Sequence, residues 1–465
     1  MPGKTQSALL LALGLGLAGC GQFTPFQRPT PPVPAQWPTS AASETTTAAQ
    51  MPVDWRAAYP DPRLQALIAA ALEHNRDLRL AFARIEEARA QLRLVHTALS
   101  PDIDLAGAAA ARRTDGDVSR RFELGLQLPA FELDLWGRLR SADEAARQRL
   151  LASEEAARAV QLALIADVAE AYLLQLEIAE RLRLTEATLA TRTETRDIVA
   201  RRRDVGLANT LDVLQAEGAL ALARAELANL RRQQATAEHA LGLLIGTDPG
   251  PLPAASTLSA LDLVADIQPG LPAEVLLQRP DIRAAEARLR AAQADVESAR
   301  AALFPSITLT SALGLASRAL SDLFDAASGT WLFQPALRYP LFDAGRSRIG
   351  VEIAEARQLA AVAEYERSIQ IAFREVADRL AARQRIREQL AAQQEQARIQ
   401  SERLRLAEAR YRAGLTNFLE VLDAQRDRYT AEQGVVQLAR ALQSNAVRLY
   451  QALGGGMAAS HHPGG

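Results

Sequence analysis

Residues 205–216 read Val205-Gly206-Leu207-Ala208-Asn209-Thr210-Leu211-Asp212-Val213-Leu214-Gln215-Ala216, and the same text returns 208 positions later as Ala413-Gly414-Leu415-Thr416-Asn417-Phe418-Leu419-Glu420-Val421-Leu422-Asp423-Ala424. The same offset pairs Gly137-Arg138 with Gly345-Arg346, Val168-Ala169 with Val376-Ala377, and Ile245-Gly246 with Leu453-Gly454. A register held that long marks an internal duplication. Upstream the offset is 204, pairing Leu99-Ser100-Pro101-Asp102-Ile103-Asp104-Leu105 with Leu303-Phe304-Pro305-Ser306-Ile307-Thr308-Leu309. The change of offset falls between the two blocks, where a tolerated insertion implies a loop.

Working outward from the repeated stretch, no proline occurs between Pro129 and Pro249, or between Pro340 and Pro463. Proline costs a helix interior about 3 kcal/mol or more, so these stretches permit very long helices. They are rich in Ala, Leu, Glu, Arg and Gln. Apolar residues recur at helical spacing, as at Leu162, Ile165, Ala169, Tyr172, Leu176 and Ala179. A helix over 137–203 would be roughly 100 Å long at 1.5 Å per residue, more than a globular core needs. Gly206 and Gly414 suit the left-handed residue that ends a helix, and Asn209 and Asn417 can cap the next one.

Each repeat therefore reads helix, strand, strand, long helix, turn, helix. The first spans 61–250, with strands 102–113 and 121–136, the long helix 137–203 and a return helix 209–246. The second spans 272–456, with strands 305–316 and 330–343, the long helix 345–411 and a return helix 417–453. Residues 251–271 link the repeats, and 457–465 form a C-terminal tail.

The strands alternate with period two. Phe122, Leu124, Leu126 and Leu128 are apolar; after Pro129-Ala130 the phase flips to Phe131, Leu133 and Leu135, which predicts a bulge. Ile307, Leu309, Leu313 and Leu315 alternate in the second repeat, as do Trp331, Phe333, Leu337, Tyr339 and Leu341, although Leu332 and Phe342 spoil the last pattern. Such alternation fits outer-membrane strands, and it fits equally a soluble sheet with one wet face. Four strands cannot close a pore, because an open edge in lipid leaves backbone groups without partners. If these strands span a membrane, at least two chains share one barrel.

The N-terminus carries Lys4, an apolar run from Ala8 to Leu17, and then Ala18-Gly19-Cys20, the pattern of a secretory signal peptide over 1–19. The apolar run is too short for a transmembrane helix. Six prolines between Pro25 and Pro38 lie in a Thr-, Ser- and Ala-rich segment that reads as an extended tether over 20–60.

Other chemistry is absent from the pattern. The 53 basic and 55 acidic residues nearly balance, so no excess of positive charge calls for nucleic acid. Cys20 is the only cysteine, which excludes an internal disulfide and a Cys metal cluster. Gly14-Leu15-Gly16-Leu17-Ala18-Gly19 matches a dinucleotide fingerprint literally, but it lies in the signal peptide with no strand before it. His74, His96 and His239 stand far apart and form no evident ligand set, and no nucleophilic triad is visible. The reading is therefore a chain without catalytic residues, metal or cofactor.

With repeat, rods and strands in place, the chain resembles the TolC-like outer-membrane efflux factors, most closely their OprM-type lipoprotein branch. The resemblance rests on Leu17-Ala18-Gly19-Cys20, which is similar to a lipobox, and on Asp61-Pro62-Arg63-Leu64. It also rests on Arg279-Pro280-Asp281-Ile282 through Phe304-Pro305-Ser306-Ile307, Leu323-Phe324-Asp325-Ala326, Trp331-Leu332-Phe333, and the two Gly-Leu-X-Asn turns. It implies a mainly α protein with a small β-barrel part: a homotrimer whose 12-stranded barrel sits in the outer membrane above a helical periplasmic tunnel. It further implies lipidation of Cys20, a periplasmic adaptor and an inner-membrane transporter of the RND class as partners, and a passive duct for drugs or toxic small molecules. Heavy-metal efflux or type I protein secretion through the same fold is the sibling alternative. A lipid-anchored periplasmic coiled coil without a pore is the non-transport one.

The resemblance also implies that Leu419 and Asp423 close the tunnel entrance with support from Arg426, and that the turns at Gly206, Leu207, Asn209, Gly414, Leu415 and Asn417 face the adaptor. The first repeat keeps Leu211 but has Gln215 where the second has Asp423, so the charge of such a gate comes from the second repeat. The alternative for these residues is ordinary helix packing at Leu419 and a solvated Asp423–Arg426 pair.

Overall fold

Long helices separated by short extended segments are what the spacing of the prolines allows, and they are what forms. The structure, a computed structural model, describes residues 25–34, 37, 54–115, 117–261, 263 and 275–455. In chain order these form α1 (Trp55–Ala58), α2 (Pro62–His74), α3 (Arg76–Thr97), β1 (Asp104–Thr114), β2 (Asp117–Glu132), α4 (Arg138–Asp204), α5 (Thr210–Ile245), α6 (Pro280–Ala301), β3 (Ser306–Ser317), a 3-10 turn (Leu320–Asp322), β4 (Gly329–Arg338), α7 (Arg346–Arg412) and α8 (Phe418–Ala452). The two halves repeat the same order, and α4 and α7 have 67 residues each. Among the described residues no helix is long and apolar enough to cross a membrane. The signal peptide, Cys20 and the tail 457–465 lie outside the described residues, as do parts of the tether and the linker.

The chain divides into two compact units. One holds the sheet, with the described residues of 1–30, 83–155 and 283–367. Its four strands are antiparallel neighbours in the order β1-β2-β3-β4. The register sorts their residues onto two faces. Leu105, Leu126, Leu313 and Trp331 form one row, and Gly107, Leu124, Leu315 and Gly329 the next. The opposite face carries Asp104, Glu123, Gln127, Glu132, Thr308, Thr310, Gln334 and Arg338. Leu332, which spoiled the alternation in sequence, stands on this polar face opposite Ala312.

The phase flip at Pro129-Ala130 is a β-bulge. Leu128 pairs with Ser311 and Phe131 with Leu309, so Pro129 and Ala130 of β2 stand opposite the single Thr310 of β3 and both Leu128 and Phe131 stay on the apolar face. Ala130 takes a positive φ of 40°, and its amide donates to Thr310 Oγ1 at 3.3 Å. On the polar face Gly125 and Gly314 oppose one another. A Cβ on either would lie 2.6 Å from the other's Cα and as close to the backbone carbonyl beside it, so only two glycines allow this approach of β2 to β3.

The strands end earlier than their hydropathy predicts. β2 stops at Glu132, not 136, because the Asp134 carboxylate accepts from the amides of Leu139 and Arg140 and so caps α4. β4 stops at Arg338, not 343: Pro340 lacks an N–H, and Asp343 accepts from the amides of Gly345 and Ser347 to start α7. Beyond the strand ends Trp136 stacks on Phe304 at 5.1 Å and donates to the Pro305 carbonyl at 2.7 Å.

Where it is described, over 25–34, the N-terminal segment has no helix or strand, and it docks on α6. Arg28 donates to the buried Glu286 carboxylate at 3.0 Å and 3.3 Å, and Arg290 donates to the same oxygen at 2.7 Å while its guanidinium covers the Phe26 ring. Composition concealed this, because the anchoring residues are two among many prolines and hydroxyls.

The other unit, the described residues of 31–82, 156–282 and 368–465, is helical. Asp61 caps α2 through the Leu64 amide at 2.7 Å and also accepts from Ser256. The Arg279 guanidinium, nearly buried, reaches Asp281, Glu375 and the Ala452 carbonyl and so ties the start of α6 to α7 and the end of α8. Tyr59 and Tyr450 meet edge to face at 5.5 Å in the core, and burial raises both phenols well above their ordinary value. Arg440 and Arg448 of α8 bridge to Glu177, Glu170 and Asp167 of α4.

Candidate functional site

The two helix turns are built alike. At the end of α4 the Gly206 amide donates to Arg203 O at 2.9 Å and the Leu207 amide to Arg202 O at 2.7 Å. At the end of α7 Gly414 donates to Tyr411 O at 3.0 Å and Leu415 to Arg410 O at 2.9 Å. This double closure needs a left-handed residue, and both glycines have φ of 75°. Asn209 then caps α5 by accepting from the Asp212 amide, and Asp212 returns the bond to the Asn209 amide. Asn417 accepts from the Glu420 amide in the same way, at 3.2 Å.

The usual apolar partner of such a turn is missing. Leu207 and Leu415 follow arginine-rich helix ends and are 68% and 71% exposed. Arg201, Arg202, Arg203, Arg410 and Arg412 crowd the same ends, where the helix dipole favours cations. The tips are apolar points among arginines, of which Arg203 pairs with Asp204 and Arg412 with Glu408.

Behind the tips four helices share one core of Val199, Val213, Ala216, Leu404, Ala407, Phe418, Val421 and Ala424. The second repeat adds aromatics: Tyr411 meets Phe418 at 5.5 Å, and the Arg202 guanidinium lies 4.7 Å from the Tyr411 ring centre. Burial raises the Tyr411 phenol. Arg192 donates to the Ala219 carbonyl at 2.7 Å, and Thr185 and Tyr429 share a hydrogen bond of 2.7 Å. Burial lowers the Arg192 pKa, though a guanidinium stays charged at neutral pH.

Leu419, Asp423 and Arg426 stand together on α8. Leu419 is 49% exposed and takes no part in the shared core, which uses its neighbours Phe418 and Val421. Leu211, its repeat counterpart, is also exposed. Asp423 and Arg426 form an ion pair at 3.2 Å. Arg426 also reaches Asp427, through Nε at 3.2 Å and Nη2 at 3.1 Å, and Asp427 accepts from Arg403 of α7 at 2.7 Å. The Arg403 hydrogen bond holds the Asp427 carboxyl below the usual carboxylate range.

Asp427 and Arg403 were missed in sequence. The duplication holds the signal that finds them: at its offset Thr195 and Ala219 stand where the second repeat has Arg403 and Asp427. Among the described residues, no three His, Cys, Asp or Glu side chains are grouped so as to hold a metal ion.

A family model described as outer membrane efflux protein matches residues 67–247 and 271–455, one match for each repeat. The chain belongs to the outer membrane efflux protein family. The outer membrane protein OprJ of Pseudomonas aeruginosa is 42% identical over 98% of this chain and 96% of its own length. The toluene efflux pump outer membrane protein TtgF of Pseudomonas putida is 42% identical over 96% of each. The cation efflux system protein CusC of Escherichia coli O157:H7 is 41% identical over 96% of this chain and 98% of its own. Among solved structures, the open-state MtrE outer membrane channel of Neisseria gonorrhoeae superposes with a TM-score of 0.87, at 36% identity over 94% of this chain and 99% of that one. This efflux family protein is an outer-membrane efflux channel with the TolC-like fold.

Proposed function

We propose that three copies of this chain form a passive export duct that continues a periplasmic adaptor and an inner-membrane pump of the RND class to the cell exterior. One observation carries the trimer: the four-stranded sheet is apolar on one face and ends at β1 and β4, each with one edge unpaired among the described residues. In lipid, unpaired edges are untenable, and three such sheets joined edge to edge make a closed 12-stranded barrel. The helices then extend into the periplasm. A lipid on Cys20 is a second anchor and the only non-protein group required.

Leu419 and Asp423 act as rings at the periplasmic mouth. Their exposure within the chain, away from the shared core, favours this role over ordinary packing. The exposed Leu207 and Leu415 with their arginine collars face the adaptor. The cargo is a drug or toxic small molecule; metal efflux is the alternative, and relatives named for toluene and for cation efflux support both. The chain offers no chemistry on the cargo. The non-transport reading, a lipid-anchored coiled coil, leaves the apolar face of the sheet without a purpose.

The experiment exports Cys20→Ala through a substitute signal peptide. The variant stays in the outer membrane and is extracted by detergent as a trimer. Release as a soluble periplasmic protein, or extraction as a monodisperse monomer, overturns the barrel.

A further inference from the structure

The apolar face of the sheet carries two charged residues among those described, and both are arginines. Along β1 this face shows Leu105, Gly107, Ala109, Ala111 and then Arg113; along β2 it shows Val118, Arg120, Phe122, Leu124, Leu126, Leu128 and Phe131. On β3 and β4 it shows Ile307, Leu309, Ser311, Leu313, Leu315, Ser317, Gly329, Trp331, Phe333, Pro335 and Leu337. Arg113 pairs with Val118 and Arg120 with Ala111, so the arginines are diagonal neighbours on adjacent strands. Diagonal positions are roughly 7–8 Å apart, within joint reach of two guanidinium groups. Both side chains are exposed, and neither takes part in any ion pair among the described residues. Arg121, one position along, faces the other way and bonds Glu123 there.

Their height is informative. Between Phe131 and Phe122, opposite Leu309 and Ser317, the apolar band runs about 26 Å along the strand at 3.3 Å per residue, or about 20 Å across a membrane at the usual strand tilt. One further same-face step brings it to the roughly 25 Å band of outer-membrane barrels. Arg120 lies one same-face step beyond Phe122, and Arg113 one step further, at the level of lipid headgroups. They also lie at the strand ends opposite those that continue into α3 and α4, so on the orientation proposed above they meet the outer leaflet.

We propose that Arg113 and Arg120 form a clamp for the phosphate groups of the phosphorylated glycolipid, lipid A, that makes up the outer leaflet. Two planar guanidinium groups bind phosphate oxygens bidentately, and at the edge of the hydrocarbon layer this attraction is screened less than in water. A trimer carries three such clamps, in addition to any contact made by the acyl chains with the leucine rows.

The test titrates the purified full-length trimer in detergent with bisphosphorylated lipid A and counts bound lipid by native mass spectrometry. The parent binds up to three molecules saturably, and Arg113→Gln with Arg120→Gln binds at least tenfold more weakly. Arg112→Gln, on the other face of the same hairpin, binds like the parent. Unchanged binding by the double variant overturns the clamp, as does equal binding of dephosphorylated lipid A or of phosphatidylglycerol by the parent. The orientation is read separately, by labelling Asp117→Cys on intact cells with a membrane-impermeant maleimide. Absence of labelling overturns the orientation on which the clamp rests, whereas arginine-independent binding by a labelled hairpin overturns the clamp alone.

Discussion

The carboxylate of Asp427 on α8 accepts a hydrogen bond of 2.7 Å from Arg403 on α7 and is also held by Arg426, its neighbour in sequence. Arg403 thus joins the two helices of the second hairpin just behind Leu419 and Asp423, while the first hairpin has Thr195 and Ala219 in these places. Because this bond depresses the Asp427 pKa, the stabilisation is complete above about pH 4, the unfolded value. It is lost as pH falls through the lower folded value. An exposed pair of this kind contributes about 0.2–1 kcal/mol. Asp427→Asn should therefore raise the open fraction of single channels by roughly 1.4- to fivefold at pH 7. The variant should also remove the extra opening that the parent shows only below about pH 4. Parent and variant with identical pH profiles in planar bilayers would exclude the role.

The gate proposed at Leu419 and Asp423 is tested by removing both side chains. Leu419→Ala with Asp423→Ala should raise single-channel conductance several-fold, because a ring of apolar side chains blocks by dewetting and an acidic ring rejects anions. The corresponding changes Leu211→Ala with Gln215→Ala should do less. Intact trimers of the first double variant that conduct like the parent would show that the constriction lies elsewhere.

Gly125 and Gly314 oppose one another so closely that a methyl group on either meets backbone, which cannot move aside as a side chain can. Gly314→Ala should cost about 1–3 kcal/mol and lower the yield of trimer resistant to unheated gel sample buffer. Gly107→Ala is the control: the nearest atom to its Cβ is a leucine methyl at 3.5 Å, and yield should be unchanged. Equal yields from both variants would mean that the strands separate without penalty.

Glu286 is the buried member of a group whose arginines are half-exposed, with Arg28 on one side and Arg290 on the other. Replacing it with Ala removes two charge-assisted pairs and leaves two half-exposed guanidinium groups adjacent, at a cost of about 1–2 kcal/mol. Arg28→Ala keeps the Arg290 pair and should cost less than about 1 kcal/mol. Thermal unfolding of the purified trimer separates the two. A smaller effect of Glu286→Ala than of Arg28→Ala would contradict this account of the docked N-terminal segment.

What the sequence made legible was what repeats along the chain. Proline-free stretches and apolar spacing located α4 and α7 to within a residue, since in so long a helix local preferences agree over many turns. The bulge was legible because Pro129 coincides with the change of phase. Contacts between distant residues were not. Nothing near Arg28 points to Glu286, and nothing near Asp427 points to Arg403 on another helix. Strand ends were overextended because Leu133, Leu135 and Leu341 continue the alternation through the short segments between the last strand residues, Glu132 and Arg338, and the helices that Asp134 and Asp343 start. Aligning the two halves residue by residue would have exposed Asp427 as a charge without a counterpart.

The duplication described above gives each copy of the chain two hairpins of nearly equal backbone and unequal chemistry: Leu211 and Gln215 on one, Leu419, Asp423 and Asp427 with Tyr411 and Phe418 on the other. In a trimer the ring of six hairpins is then close to sixfold in shape but threefold in charge. Neighbouring tips alternate in kind around the circle. A partner that grips shape alone can seat six times, whereas one that reads the acidic hairpin can seat only three, and a ligand that senses both must straddle an unlike pair.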